Sequence, residues 1–176
     1  TISALNVLVY MMKAKTQKMN SKQKLASTLN RAYGTKVSYG LTSYGDLVQL
    51  DVRFQFVRPD WIEDKCYLDK IKDIMDEVLF HSVLDEENFK ESVYLLKNRL
   101  LAQMDDPANL SCMYAFDMAH DKHSISIPVQ GSLKDLETLT LDDVKKVYTL
   151  YMEMAKHFYI CGYVTDELYD YIFDLY

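Results

Sequence analysis

An α+β fold, with helices packed on one face of a mostly antiparallel sheet, is predicted by three features of this chain. Apolar residues recur at helical spacing over most of its 176 residues, the period changes to two between Thr35 and Phe56, and the elements run in the order ααββαααβα. A doubly wound sheet needs strands alternating with helices throughout, and a simple bundle needs none, so neither fits this order.

Residues 4–12 are apolar on nearly every side, with Asn6 and the Tyr10 hydroxyl as the polar handles. A helix without a polar face is normally buried. Lys13 to Asn20 is polar, and Ser21 then caps a second helix carrying Leu25, Leu29 and Tyr33 until Gly34 stops it. Val37, Tyr39 and Leu41 lead into Tyr44-Gly45-Asp46. Val48, Leu50, Val52, Phe54 and Phe56 then alternate with Gln49, Asp51, Arg53 and Gln55, as in a hairpin with one wet face.

Pro59-Asp60 marks the next boundary, where Asp60 and Glu63 are spaced as a capping box for a helix with Trp61, Leu68, Ile71, Met75 and Val78 on one stripe to about Phe80. This helix is expected to pack on the sheet. A fourth helix from Asp85 carries Phe89, Val93, Leu96, Leu100 and Met104, and Asp105-Asp106-Pro107 interrupts it before a helical stretch through Tyr114 and Met118. His120 to Pro128 reads as a polar connector and Gly131 to Leu139 as a short helical turn. Thr140 with Asp143 starts a helix to about Met154 that buries Val144, Val147, Tyr148 and Tyr151. His157 to Val164 reads as a buried strand, and Thr165 caps a last helix through Leu168, Ile172 and Leu175.

With 49% hydrophobic residues, the chain has enough apolar side chains for one sizeable core. The formal charge of −6, with both signs interspersed, leaves no basic stripe to track nucleic acid. No run approaches the ~18 apolar residues of a membrane span, and no signal peptide is evident, so neither nucleic acid nor membrane is an expected partner. Cys66, Cys112 and Cys161 are widely spaced and form no metal motif, which points to a reducing, cytoplasmic setting with Cys112 and Cys161 as core thiols.

Several local patterns, taken in order, resemble one domain of the pitrilysin/insulinase metallopeptidases, the group that includes the mitochondrial processing peptidases. They are the first helix and, beyond a polar loop, Leu25-x3-Leu29-x3-Tyr33-Gly34; the hairpin; the acidic start Asp85-Glu86-Glu87-Asn88-Phe89; Gly131-Ser132-Leu133; Leu136-x2-Leu139-Thr140-x2-Asp143-Val144-x3-Tyr148; and a final strand with Gly162. The resemblance covers nearly the whole of residues 1–176, read as a single domain. Because the chain enters an apolar helix directly from Thr1, it is expected to lack the domain's N-terminal strand(s) and to be part of a longer chain.

The resemblance implies a zinc site in active relatives. There an H-x-x-E-H helix supplies two histidine ligands one turn apart and a glutamate that activates the bound water, with a distal glutamate as third ligand. Here Asn6 and Tyr10 stand at the histidine positions and Val9 at that of the base. An amide is a poor zinc ligand, a phenol keeps its proton near neutral pH, and an isopropyl group accepts no proton. At the distal position, after Phe89, stands Lys90, with Glu87 and Glu91 nearby. The resemblance therefore implies no catalytic residue, no zinc and no other cofactor here. It implies a non-catalytic domain that shapes a peptide chamber or supports a catalytic domain or subunit. β-Augmentation on a sheet edge is the expected mode of holding peptide.

Two other readings stand beside this one: an active zinc metalloendopeptidase whose motif lies elsewhere in the parent chain, and a protein–protein interaction module unrelated to proteolysis. His120-x-x-His123 has metal spacing if helical, but it lies in a polar connector without a third ligand. His81 and His157 have no evident partner in the sequence. Asp85-Glu86-Glu87 is read as helix capping rather than a cation site. Tyr159, Tyr163, Tyr169, Tyr171 and Tyr176 suit either a partner surface or packing on the sheet.

Overall fold

A computed structural model describes residues 1–119 and 124–175. It is α+β: eight α-helices and one antiparallel hairpin, with 3-10 turns at Pro59–Trp61 and Ser124–Ser126. The helices are α1 (Ile2–Ala14), α2 (Lys22–Arg31), α3 (Tyr67–Phe80), α4 (Glu86–Met104), α5 (Pro107–Ala119), α6 (Leu133–Thr138), α7 (Leu141–Glu153) and α8 (Asp166–Asp174). The strands are β1 (Lys36–Tyr44) and β2 (Leu47–Gln55).

α1 is the central element. Val7, Leu8, Met11 and Met12 are fully buried and join Leu96 and Leu100 of α4, Leu136 of α6, and Leu141 and Val144 of α7 in one apolar cluster. A second cluster gathers Tyr67, Ile71, Ile74, Met75 and Val78 of α3 with Ala32, and Val37, Tyr39, Val52 and Phe54 of the hairpin pack against it. Tyr39 touches both clusters, so the hairpin is anchored to α1 and α3 together. Register pairs Val37 with Phe54, Tyr39 with Val52 and Leu41 with Leu50, which puts the alternating apolar residues on one face.

The helix starts are local and follow the predicted chemistry. Ser21, Asp85, Ser132, Thr140 and Thr165 each accept the backbone N–H three residues on. Thr140 and Asp143 complete a reciprocal capping box. At the end of α2, Tyr33 (φ 54°) and Gly34 (φ 72°) both turn left-handed and direct the chain into β1.

Asp85 also ties α4 to the end of α1: it accepts Asn88 N–H at 2.8 Å and pairs with Lys15 Nζ at 2.8 Å. The hydrogen bond from Lys15, then that from Asn88, holds its carboxyl below the usual carboxylate range. A depressed native pKa stabilises the fold above the unfolded value of ~3.9, and that contribution is lost as pH falls through the native value. The thermal midpoint of the native chain is therefore expected to fall more steeply below about pH 4 than that of Asp85→Asn, which keeps a capping side chain. Parallel profiles for the two proteins would remove Asp85 from the acid response.

Four expectations are corrected. Residues 157–164 form no strand: they have no ladder partner, and Tyr159 is 90% exposed. α3 begins at Tyr67 rather than at Asp60, because Arg58 takes the Asp60 carboxylate and residues 59–61 close a 3-10 turn with Trp61 exposed. Cys112 and Cys161, read as core, are exposed, as is Cys66. His81 does have a partner, its Nε2 lying 3.2 Å from Asp76 Oδ2. The pair His120 and His123 lies outside the described residues. No helix among the described residues is long and apolar enough to cross a membrane.

Candidate functional site

The polar face of α1 opens into a groove of about 440 Å³. Asn6, Val9 and Tyr10 line it together, as their spacing of one helical turn requires. Across the groove stands Arg99 of α4, and Lys13 completes the α1 side one turn beyond Tyr10. Lys90, the residue expected at the distal position, is exposed and is not part of the lining.

Helix geometry explains why Arg99 lines the groove and Lys90 does not. Asn88, Ser92, Leu96 and Arg99 recur at intervals of four, four and three, so they share one face of α4, whereas Lys90 is rotated about 200° from Asn88. That face is fixed against α1. The Asn88 amide donates to Met11 O at 3.1 Å and to Val83 O at 2.8 Å, and Ser92 Oγ donates to Asn88 Oδ1 at 3.4 Å. A register anchored on Phe89 points away from the groove, while one anchored on the buried polar pair Asn88 and Ser92 leads to Arg99.

The floor of the groove is held by hydrogen bonds from α1. The Asn6 amide nitrogen donates to Ile2 O at 3.0 Å and to Val129 O at 2.8 Å, clamping residues 128–131 against the first turn of the helix. Ser3 Oγ donates to Asp135 Oδ2 at 3.0 Å and accepts Ser132 N–H at 3.1 Å, extending the same clamp. On the other wall Tyr39 donates its hydroxyl to Met12 O at 3.3 Å, and burial pushes its pKa far above the ordinary phenol value. Lys13 Nζ lies 5.5 Å from the Tyr10 ring centroid and 5.6 Å from that of Tyr39. Partial desolvation of the ammonium, and then the charge of Arg99, lowers the Lys13 pKa.

β1 contributes its backbone. Five consecutive residues, Tyr39 to Ser43, line the groove, which a strand offering only one face could not do. The hairpin turns through two residues with Gly45 at φ 60°, so Tyr44 and Leu47 form a hydrogen-bonded pair, and Thr42 and Gly40 follow at alternate positions. The N–H and C=O groups of Tyr39, Leu41 and Ser43 consequently point away from β2. They form an open edge along the groove, because the sheet has two strands.

These residues do not fit zinc. Asn6 has committed both amide hydrogens to carbonyls, Val9 has no donor atom, and two cations, Lys13 and Arg99, occupy the surroundings where a dication would need anionic or neutral ligands. Among the described residues, Asp76, Glu77 and His81 bring three ligand-type atoms within 4.8 Å of one another at the end of α3. That cluster is already engaged: Glu77 Oε2 accepts Lys18 N–H at 2.9 Å, Lys18 Nζ lies 3.7 Å from Oε1, and Asp76 pairs with His81.

Comparisons with known proteins bear on the fold and on the family resemblance. No family model matches the chain. It is 25% identical over 131 residues to the probable inactive metalloprotease YmfF of Bacillus subtilis (strain 168), covering 70% of this chain and 30% of that protein. Its fold is similar to that of a conserved protein from Enterococcus faecalis V583, with a TM-score of 0.80 and 18% identity over 86% of this chain and 37% of the other. A protease from Helicobacter pylori gives a TM-score of 0.66 at 17% identity, covering 85% and 33% of the two chains. The peptidase M16 inactive domain from Pseudomonas fluorescens gives 0.59 at 14%, covering 82% and 32%. The chain thus spans about a third of the length of these relatives. Sequence likeness to a probable inactive metalloprotease and fold likeness to a peptidase M16 inactive domain support the resemblance to a degenerate, pitrilysin-like metallopeptidase domain.

Proposed function

We propose that this chain is a non-catalytic peptidase-like domain that holds an extended peptide in a chamber shared with a catalytic domain or subunit. The observation carrying this reading is the groove in which the Asn6, Val9 and Tyr10 face of α1 meets the open edge of β1. An edge with three outward pairs of N–H and C=O groups suits β-augmentation, in which main-chain bonds supply affinity and alternate side chains supply selectivity. The same reading makes the hairpin part of a larger, mostly antiparallel sheet, with helices on one face and further strands supplied from outside residues 1–176.

Exposed apolar side chains support a covering partner. Met113, Tyr114, Phe116 and Met118 of α5 are exposed, as are Tyr159, Ile160 and Tyr163 beyond α7, and apolar surface of this kind marks contact with further protein. Tyr171 differs, donating its hydroxyl to Lys72 O at 2.9 Å and serving internal packing. The test is reconstitution with a catalytic pitrilysin-type subunit, together with metal analysis of the chain alone. Enhanced peptide cleavage by the subunit, with the chain itself free of stoichiometric zinc, is expected. Stoichiometric zinc that disappears on mutating residues of α1, or cleavage by the chain alone that a chelator abolishes, would overturn the reading.

A further inference from the structure

We propose that Lys13 and Arg99 form a carboxylate-recognition subsite that selects an acidic residue, Asp or Glu, within the extended peptide laid along β1. This rests on the peptide-holding reading above and adds the chemical class of the side chain. Both cations line the one groove, from opposite walls, and among the described residues neither is ion-paired with a carboxylate. Their neighbours behave differently: Lys15, two residues along, pairs with Asp85 and Glu87, and Lys22 pairs with Glu91. In a chain of formal charge −6, two cations that line one groove without a paired carboxylate are an unbalanced local field.

Partial desolvation and the nearby guanidinium both oppose the Lys13 charge and lower its pKa. An anion placed between the two groups relieves both effects. Arg99 offers a planar fork for a carboxylate, and Lys13 adds a point charge from the side. The pair also keeps positive charge in the part of the fold where active relatives are expected to hold a metal. The site has lost its means of activating water while keeping the sign of its attraction.

The groove argues for an internal acidic residue rather than a peptide's terminal carboxylate. Lys13 and Tyr39 line a second, smaller hollow of about 210 Å³ as well, in which Leu25 and Leu29 of α2 face Val37 at the start of β1. Lys13 therefore stands between two stretches of groove, and a chain seated there continues on both sides of it.

The test uses fluorescein-labelled decapeptides of alternating Thr and Val, blocked at both ends, carrying Glu, Gln or Lys at the centre, with binding to the 176-residue chain followed by fluorescence polarisation. The Glu peptide is expected to bind about tenfold more tightly than the Gln peptide, the scale of one charge-assisted contact. In Arg99→Gln and Lys13→Met the preference should shrink to about threefold or less; Arg99→Glu should favour the Lys peptide. Both positions are exposed, and a melting temperature matching the parent's establishes that each variant is folded. Equal binding of the Glu and Gln peptides, lost when prolines interrupt the strand, overturns the carboxylate subsite and leaves peptide holding intact. Failure of all three peptides to bind overturns both.

Discussion

Leu8→Ala is expected to lower the unfolding free energy by about 2–5 kcal/mol, the range for emptying a buried leucine site that its surroundings cannot refill. Leu8 has no exposed surface and sits in the middle of α1, which packs against α4 on one side and α7 on the other. Two of its walls are helices held by their own fixed contacts: α4 through Asn88 and Lys15–Asp85, and α7 through the Tyr148 hydroxyl donated to Phe80 O at 2.7 Å. Collapse into the cavity is therefore limited, which favours the upper part of the range. Urea denaturation of parent and variant measures the difference. A loss below about 1 kcal/mol would mean that α1 lies at a periphery and that the cluster around it is wrongly drawn.

Gly131→Ala should cost about 2–4 kcal/mol from two additive sources. Gly131 has φ 83°, a conformation that L side chains rarely adopt, and a Cβ there would lie 2.6 Å from Ser3 Oγ and 3.0 Å from Ser3 Cα. The second distance matters more, because Ser3 Cα belongs to the backbone of α1 and cannot swing aside. Ser3→Ala in the same chain is consequently expected to rescue little, although it removes the nearer atom. Full rescue would assign the effect to the hydroxyl alone. Since the preceding residues Val129 and Gln130 wall the groove, the variant should also weaken peptide binding, whereas Leu8→Ala should leave it unchanged in the folded fraction.

What was readable in the sequence divides by the range of the interactions involved. Ser21, Asp85, Thr140 and Thr165 cap helices through bonds to residues three positions on, so the chemistry is complete within four letters. The hairpin was legible for a related reason: alternation and a glycine turn specify both strands and their register. Residues 157–164 have the composition of a strand but need a partner chain segment to become one, and composition carries no information about whether it is there. Cys112 was taken as core because thiols are often buried, yet it lies on α5, a helix whose described side chains are almost all exposed.

Of the candidate site, one wall was legible. Asn6, Val9 and Tyr10 were grouped by helical spacing, and the structure brings them to one groove. Arg99 lies outside the patterns that the sequence reading used, on the face of α4 that turns toward α1. The signal that finds it is the polar pair Asn88 and Ser92, spaced i and i+4 in a helix that is otherwise apolar toward the core; buried polar groups of that kind need partners and so mark the packed face. The edge of β1 was beyond reach, since the sequence specifies which strands pair but not which side of a pair remains open.

That open edge also bears on how the chain behaves in concentrated solution. Between Lys36 and Tyr44 the strand has no proline, and Lys36 at its beginning is its one charged residue, so the usual deterrents to edge-to-edge pairing are absent. The six outward groups of Tyr39, Leu41 and Ser43 are as available to a second copy of the chain as to a peptide. Occupancy of the groove and colloidal stability are thereby linked: whatever fills the edge also protects the protein from itself.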